Sequence, residues 1–197
     1  MPSESPALVR EAVHVQVVEG FGAVRIVPLD PADDFDVDVV HGWVTQEHAR
    51  FWGMLGHTRE QVREIYEYVD SLSTHHAFLV YRDDEPVALF QTYEPAADPV
   101  GECYEVLPGD VGFHLLIAPA EGGGESGFTG QLVTAFLYFV LADPGHLRVV
   151  AEPDAGNGKA IERMVRLGFV LGEEIDKPEK RARLAFLTRE QLLAMAG

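Results

Sequence analysis

The chain carries one cysteine, Cys103, in 197 residues. A single thiol cannot build an internal disulfide framework, and it suits a reducing cytoplasm. No Cys/His cluster has zinc spacing. His75 and His76 stand without acidic or cysteine companions, so they are expected at the surface, and no bound metal is expected. No apolar run is long enough to span a bilayer. The opening "MPSESPALVREAV" lacks the basic start and apolar stretch of a secretory signal. These absences point to a cytoplasmic protein with no membrane partner. Positive charge is also scarce, with 15 Lys and Arg against 32 Asp and Glu, a net charge of -17. Such a surface repels phosphate backbones, which argues against a nucleic-acid partner. It draws in cationic substrates, though it also serves solubility alone. Any anionic cofactor must be held by local backbone donors rather than by the global field.

A hydrophobic fraction of 47% is ordinary for a globular protein, and the length suits one domain. No internal repeat and no linker interrupts the chain. Residues 1–20 read as a loosely ordered N-terminal segment and 21–197 as the domain. Within the opening stretch, "HVQVVEGFGAVRIVPLD" also reads as a hairpin around Gly20 and Gly22. One or two short helices are expected in "PADDFDVDVVHGWVTQEHARFWGML". "TREQVREIYEYVDSL" is a clearer helix, with Thr58 and Gln61 spaced as a capping box and Val62, Ile65, Tyr66 and Val69 as its apolar stripe. "HAFLVYRDDEPVALFQTYE" reads as two strands about a turn at Asp83–Pro86. A loop, the strand "VGFHLLIAP", a glycine-rich turn and the helix "QLVTAFLYFVLA" follow. Then come the buried strand "LRVVAE", the helix "GKAIERMVRL" closed by Gly168, a charged loop, the strand "ARLAFLT" and a last helix. This order describes an α/β (α+β) chain built around one mixed sheet.

Two stretches have the composition of a site. The first is the strand, glycine-rich turn and helix from Val111 to Ala142. A glycine turn at a helix start presents free N–H groups and a partial positive charge, a phosphate-binding device that needs no lysine. It matches neither a P-loop nor a dinucleotide fingerprint; a flexible surface loop has the same composition. The second is "VVAEPDAGNGKAIERMVRLGFV", where a buried strand ends in Glu152-Pro153-Asp154 and a helix follows. Pro153 cannot donate a ladder hydrogen bond, so pairing should end there. Asp154 reads equally as a turn or N-cap carboxylate. His114 shares a strand face with Leu116 and reads as a core residue or a catalytic one.

The order of these residues resembles the GCN5-related N-acetyltransferase (GNAT) superfamily: Asn157 after a strand end, Ala160 in the helix, then Gly168-Phe169. The turn resembles that superfamily's acyl-CoA pyrophosphate loop at Gly127 and Phe128, while Ser126 and Thr129 stand where Arg and the second Gly usually are. Met164 stands where many members carry a tyrosine that protonates the departing thiolate. Gly112-x-His114 and Glu152-Pro153-Asp154, with "HGWV", "ARFW" and "TYEP", resemble the siderophore-biosynthesis acyltransferase branch. The likeness runs from about Val24 to Thr188.

The resemblance implies a single GNAT fold whose two central parallel strands splay apart to admit acyl-CoA. It implies acetyl-CoA, or another acyl-CoA, as co-substrate and no metal. It implies acylation of an N-hydroxylated lysine or diamine to a hydroxamate, in the company of siderophore biosynthetic enzymes. His114 is then the general base, and Asp154 orients His114 or the substrate N–OH, or takes the proton itself. Backbone groups at Leu116 and Ile117 meet the thioester. Gly127, Phe128, Thr129 and Gly130 hold the pyrophosphate, and Asn157 contacts the pantetheine arm. Trp52, Tyr93 and Glu94 face the acceptor; Trp43 is expected in the core. Two alternatives stay open: a GNAT enzyme acting on an ordinary amine or antibiotic, and a non-catalytic acyl-CoA-binding module.

Overall fold

The computed structural model describes residues 10–120 and 125–196. Eight strands among these residues form a mixed sheet flanked by helices. The strands are β1 His14–Val18, β2 Gly22–Pro28, β3 His75–Arg82, β4 Glu85–Tyr93, β5 Asp110–Ile117, β6 Arg148–Ala151, β7 Val170–Asp176 and β8 Arg181–Thr188. Their order is β1-β2-β3-β4-β5-β6-β8-β7. The helices are α1 Asp34–Val44, α2 Arg59–Ser71, α3 Phe128–Ala142, α4 Gly158–Arg166 and α5 Arg189–Ala196. The chain packs as two units, residues 1–91 with 115–128 and residues 92–114 with 129–197. The boundaries fall within β4, β5 and the first turn of α3.

In the first unit the β1–β2 hairpin pairs from His14↔Ile26 to Val18↔Gly22. The sheet therefore takes in part of the stretch expected to be loose. α1 starts behind Asp33, whose carboxylate accepts the Phe35 N–H at 2.9 Å. The capping box of α2 is present in full between Thr58 and Gln61. Of its apolar stripe Val62 and Tyr66 are buried, and they pack with Val40, Trp43, Val44, Leu79 and Leu89 in one core. The β3–β4 turn is tighter than the expected four residues: β4 already begins at Glu85, and Asp83 takes a left-handed φ of 54°. Aspartate tolerates that conformation, and here its carboxylate accepts the Ala23 N–H at 3.0 Å.

α3 begins at Phe128, the last residue of the first unit, three residues ahead of the expected Gln131, and the rest of it belongs to the second unit. α4 ends as expected, with Gly168 in the left-handed region at φ 89°. β7 departs from expectation, because its residues read as part of a charged loop. It is the sheet's last strand, and most of its side chains are exposed. A bulge between Leu171 and Glu174 breaks its alternation. Such a strand leaves no apolar period in the sequence.

The arrangement that shapes the site lies between β5 and β6. Their parallel ladder pairs Asp110 with Arg148, Val111 with Val149 and Gly112 with Val150, and it ends there. The chain beyond β6 stays with β8 instead: Arg183 donates its N–H to Pro153 O and Ala155 donates to Arg181 O, both at 2.9 Å. Pro153, with no N–H, sits where β6 stops pairing with β5.

Candidate active site

His114 and Glu152 each lie two residues beyond the last paired residues, Gly112 and Val150, and share their strand faces. With the ladder ended, their side chains meet: His114 Nε2 is 2.5 Å from Glu152 Oε1. Tyr93, at the end of β4, lays its ring on Gly112. A Cβ on Gly112 would stand 2.1 Å from Tyr93 Cζ, so only glycine leaves room for the ring. The Tyr93 and His114 ring centroids are 4.9 Å apart, and the Tyr93 hydroxyl donates to Glu152 Oε1 at 3.1 Å.

Two lysines around the β7–β8 turn complete the cluster. Lys177 Nζ is 3.1 Å from Glu152 Oε1, 3.5 Å from Asp98 and 3.0 Å from Glu179. Lys180 Nζ donates to the Glu152 backbone carbonyl at 2.8 Å and stands 2.5 Å from Oε2, an ion pair outside hydrogen-bonding alignment. The Glu152 side chain is fully buried and that of Lys177 is 3% exposed, whereas the His114 side chain is 31% exposed. The imidazole is therefore open to solvent while the Glu152 carboxylate and the Lys177 ammonium are not, and Lys180 is 19% exposed.

The charges hold one another in place. Burial alone opposes the Glu152 charge, but His114, Lys180 and Lys177 outweigh it and keep the carboxyl far below the usual carboxylate range. Burial also opposes the Lys177 charge, yet Glu152 and Asp98 hold its ammonium up to about 12. Burial, and then the Glu152 charge, push the Tyr93 phenol well above its ordinary value, so it stays a donor. An ionised carboxylate only accepts, so Nε2 of a neutral His114 carries the proton. Nδ1 is then the nitrogen that carries the ring's lone pair.

The carboxylate bonded to His114 is Glu152; of the three roles expected for Asp154, orienting His114 falls to Glu152. Asp154 turns the chain instead: its Oδ1 accepts the Gly156 N–H at 2.7 Å, and its backbone bridges to Ala182. Asn157 caps α4, accepting the Ala160 N–H at 3.2 Å. Met164 is the buried residue of α4. Glu94 is exposed. Gly127 has a left-handed φ of 80° directly before α3, and Thr129 and Gly130 lie in the first turn of that helix. Residues 121–124 of the glycine-rich turn lie outside the described residues. Trp52, Leu116 and Ile117 belong to the first unit; Trp52 packs against its core, Leu116 is part of it, and His48 Nε2 is 3.1 Å from Ile117 O.

In the sequence Glu152 is one letter of a motif, and Lys177 and Lys180 carry no mark of a site. The available signal was a carboxylate directly after a buried strand, which must find partners if it is itself buried. Its partners lie 25 to 59 residues away along the chain. Among the described residues no group of three His, Cys, Asp or Glu side chains could hold a metal ion, and no helix is long and apolar enough to cross a membrane.

The mixed sheet of eight strands flanked by helices, with its parallel pair parting after Gly112 and Val150, is a GNAT fold. Residues 32–177 match the acetyltransferase (GNAT) domain family, and the chain belongs to it. It is an acyl-CoA-dependent N-acetyltransferase, with acyl-CoA as co-substrate. The fold is shared with an uncharacterized protein from Bacillus halodurans, 22% identical at a TM-score of 0.83, over 93% of this chain and 95% of that one. It is shared with the aminoglycoside acetyltransferase AAC(6')-Ib in complex with coenzyme A, 23% identical at 0.77, over 88% and 99%. The spermidine N-acetyltransferase from Vibrio cholerae, in complex with CoA and spermine, is 15% identical at 0.65, over 86% and 98%. No curated protein sequence matches the chain.

Proposed function

We propose that this enzyme transfers an acetyl group, or a related acyl group, from acyl-CoA to the hydroxyl-bearing nitrogen of an N-hydroxylated lysine or diamine. The product is a hydroxamate, a bidentate iron ligand, which places the enzyme with others that build siderophores in the cytoplasm. The bond between His114 and Glu152 carries the reading. It joins the two motifs, Gly112-x-His114 and Glu152-Pro153-Asp154, that resemble the siderophore branch.

The substrate nitrogen attacks the thioester carbon, the C–S bond breaks, and the nitrogen's proton passes to His114 Nδ1. Glu152 holds the imidazole in the required tautomer and balances the charge it gains. The same proton then reaches the CoA thiolate, a route that suits a chain with Met164 in place of a tyrosine. Backbone N–H groups near Leu116 polarise the thioester carbonyl. Gly127 to Gly130 hold the pyrophosphate, and Asn157 meets the pantetheine arm. Asp154, two residues beyond Glu152, acts toward the substrate N–OH rather than toward His114. Glu94, exposed directly after β4, serves the acceptor side, while Tyr93 acts through its hydrogen bond to Glu152. A hydroxylamine nitrogen is mostly neutral at pH 7, whereas a lysine ammonium, near pKa 10.4, must first lose a proton. One partly exposed imidazole is therefore enough for the former.

A second reading, acetylation of an ordinary polyamine or aminoglycoside, is favoured by the substrates of the structural neighbours. Incubation with acetyl-CoA and N-hydroxylysine, followed by ferric ion, separates the two. Formation of a coloured ferric hydroxamate is expected. Acetylation of lysine or spermine with no hydroxamate formed would favour the second reading.

A further inference from the structure

The turn ahead of α3 lacks the arginine that usually opens an acyl-CoA loop, and has Ser126 there. An arginine reaches it from elsewhere. Arg82, the last residue of β3, donates Nε to Phe21 O at 2.6 Å and Nη1 to Glu125 Oε2 at 2.6 Å, with Nη2 3.5 Å from Oε1. Its guanidinium lies over two rings, 4.4 Å from the Phe21 centroid and 5.5 Å from that of Phe128. The rings are 5.3 Å apart, and Phe21 is buried. The Phe128 N–H in turn closes onto Glu125 O at 3.2 Å. One guanidinium thus grips the residues on both sides of Ser126-Gly127 and ties them to the β1–β2 turn.

We propose that Arg82 is a positioning residue for acyl-CoA. It fixes the Glu125–Phe128 turn so that Gly127 keeps its left-handed φ and the N–H groups opening α3 stay aimed at the pyrophosphate. The inference rests on reading this turn as the acyl-CoA loop. Only arginine meets the geometry, because its planar fork bonds a carboxylate and a carbonyl while its face stacks on rings. The Arg82 and Glu125 side chains are 26% and 49% exposed. A pair that open adds little to global stability. Its effect falls on where the turn sits.

Four variants, Arg82→Met, Arg82→Lys, Glu125→Gln and Gly127→Val, test this by calorimetry with CoA, steady-state kinetics and thermal melting. Arg82→Met is expected to raise Kd for CoA and KM for acetyl-CoA about ten-fold, the loss of one charged hydrogen bond, with kcat within about two-fold of wild type. Lysine should not rescue it, and Glu125→Gln should weaken CoA in the same direction. Wild-type affinity in Arg82→Met with lost affinity in Gly127→Val overturns the proposal and leaves the loop reading standing. Wild-type affinity in both overturns the loop reading itself. Rescue by lysine, or tighter CoA binding in Glu125→Gln, also overturns the anchor: the first makes Arg82 a plain charge, the second makes Glu125 a competitor of the phosphates. If Arg82→Met melts far below wild type, Glu125→Gln, which leaves the stacked rings intact, decides the matter.

Discussion

At the scale of single residues, the candidate site is an imidazole bonded to a buried carboxylate that two lysines hold ionised. His114→Ala should lower kcat by about two to four orders of magnitude and leave CoA affinity unchanged. Glu152→Gln keeps the shape of the side chain but ends its charge. The amide can turn its N–H2 toward Nε2 and so favour the tautomer that places the proton on Nδ1. It should lower kcat by about two orders of magnitude with little change in KM for acetyl-CoA. Wild-type kcat in either variant, measured as thiol release with the fold verified by circular dichroism, removes that residue from the chemistry. Legibility at this scale was uneven for a physical reason. His114 stands out because a histidine in an apolar strand is unusual. Glu152 does not, because its burial depends on Lys177 and Lys180, which arrive through a turn 25 and 28 residues later. Glu152 and Asp154 follow the same buried strand, and the sequence does not say which of the two carboxylates meets His114.

At the scale of elements, the decisive event is that β5 and β6 pair through Gly112 and Val150 and then part. The end of β6 was legible in Pro153, because a missing N–H is a local property. The face on which Tyr93 crosses β5 was not, since Gly112 gives no hint of the ring it accommodates. Gly112→Ala tests that packing. A methyl 2.1 Å from Tyr93 Cζ must displace the ring and with it the hydroxyl that bonds Glu152. The expected cost is about 1–3 kcal/mol, the usual range for overpacking, read from urea denaturation, together with reduced kcat. Unchanged stability would mean that the ring does not occupy that position. Helices α2 and α4 were readable from a capping box and a terminal glycine, which act within a few residues, and α1 only as part of one or two short helices. β7 was not, because an exposed, bulged edge strand lacks the alternation by which strands are recognised.

At the scale of the whole molecule, the net charge of -17 conceals a local reversal: two ammonium groups converge on one carboxylate in the second unit. That cluster ties stability to pH. The Glu152 carboxyl is depressed far below its unfolded value near 4.3, so its contribution is complete above that pH and is lost as pH falls below it. Wild-type stability to urea should therefore fall more steeply between about pH 6 and pH 3 than that of Glu152→Gln, which is less stable at pH 6 but has no such proton to bind. Parallel slopes would mean that Glu152 is not the depressed group. The acidic surface also agrees with an acceptor that keeps one positive charge after its reacting nitrogen has been hydroxylated. Acceptor choice is where the account is most exposed. The direct measurement is kcat/KM for N-hydroxylysine and N-hydroxycadaverine against lysine and cadaverine, with acetyl-CoA saturating. The account predicts that each hydroxylated amine exceeds its parent; a parent amine equal to or better than its hydroxylated form would contradict it.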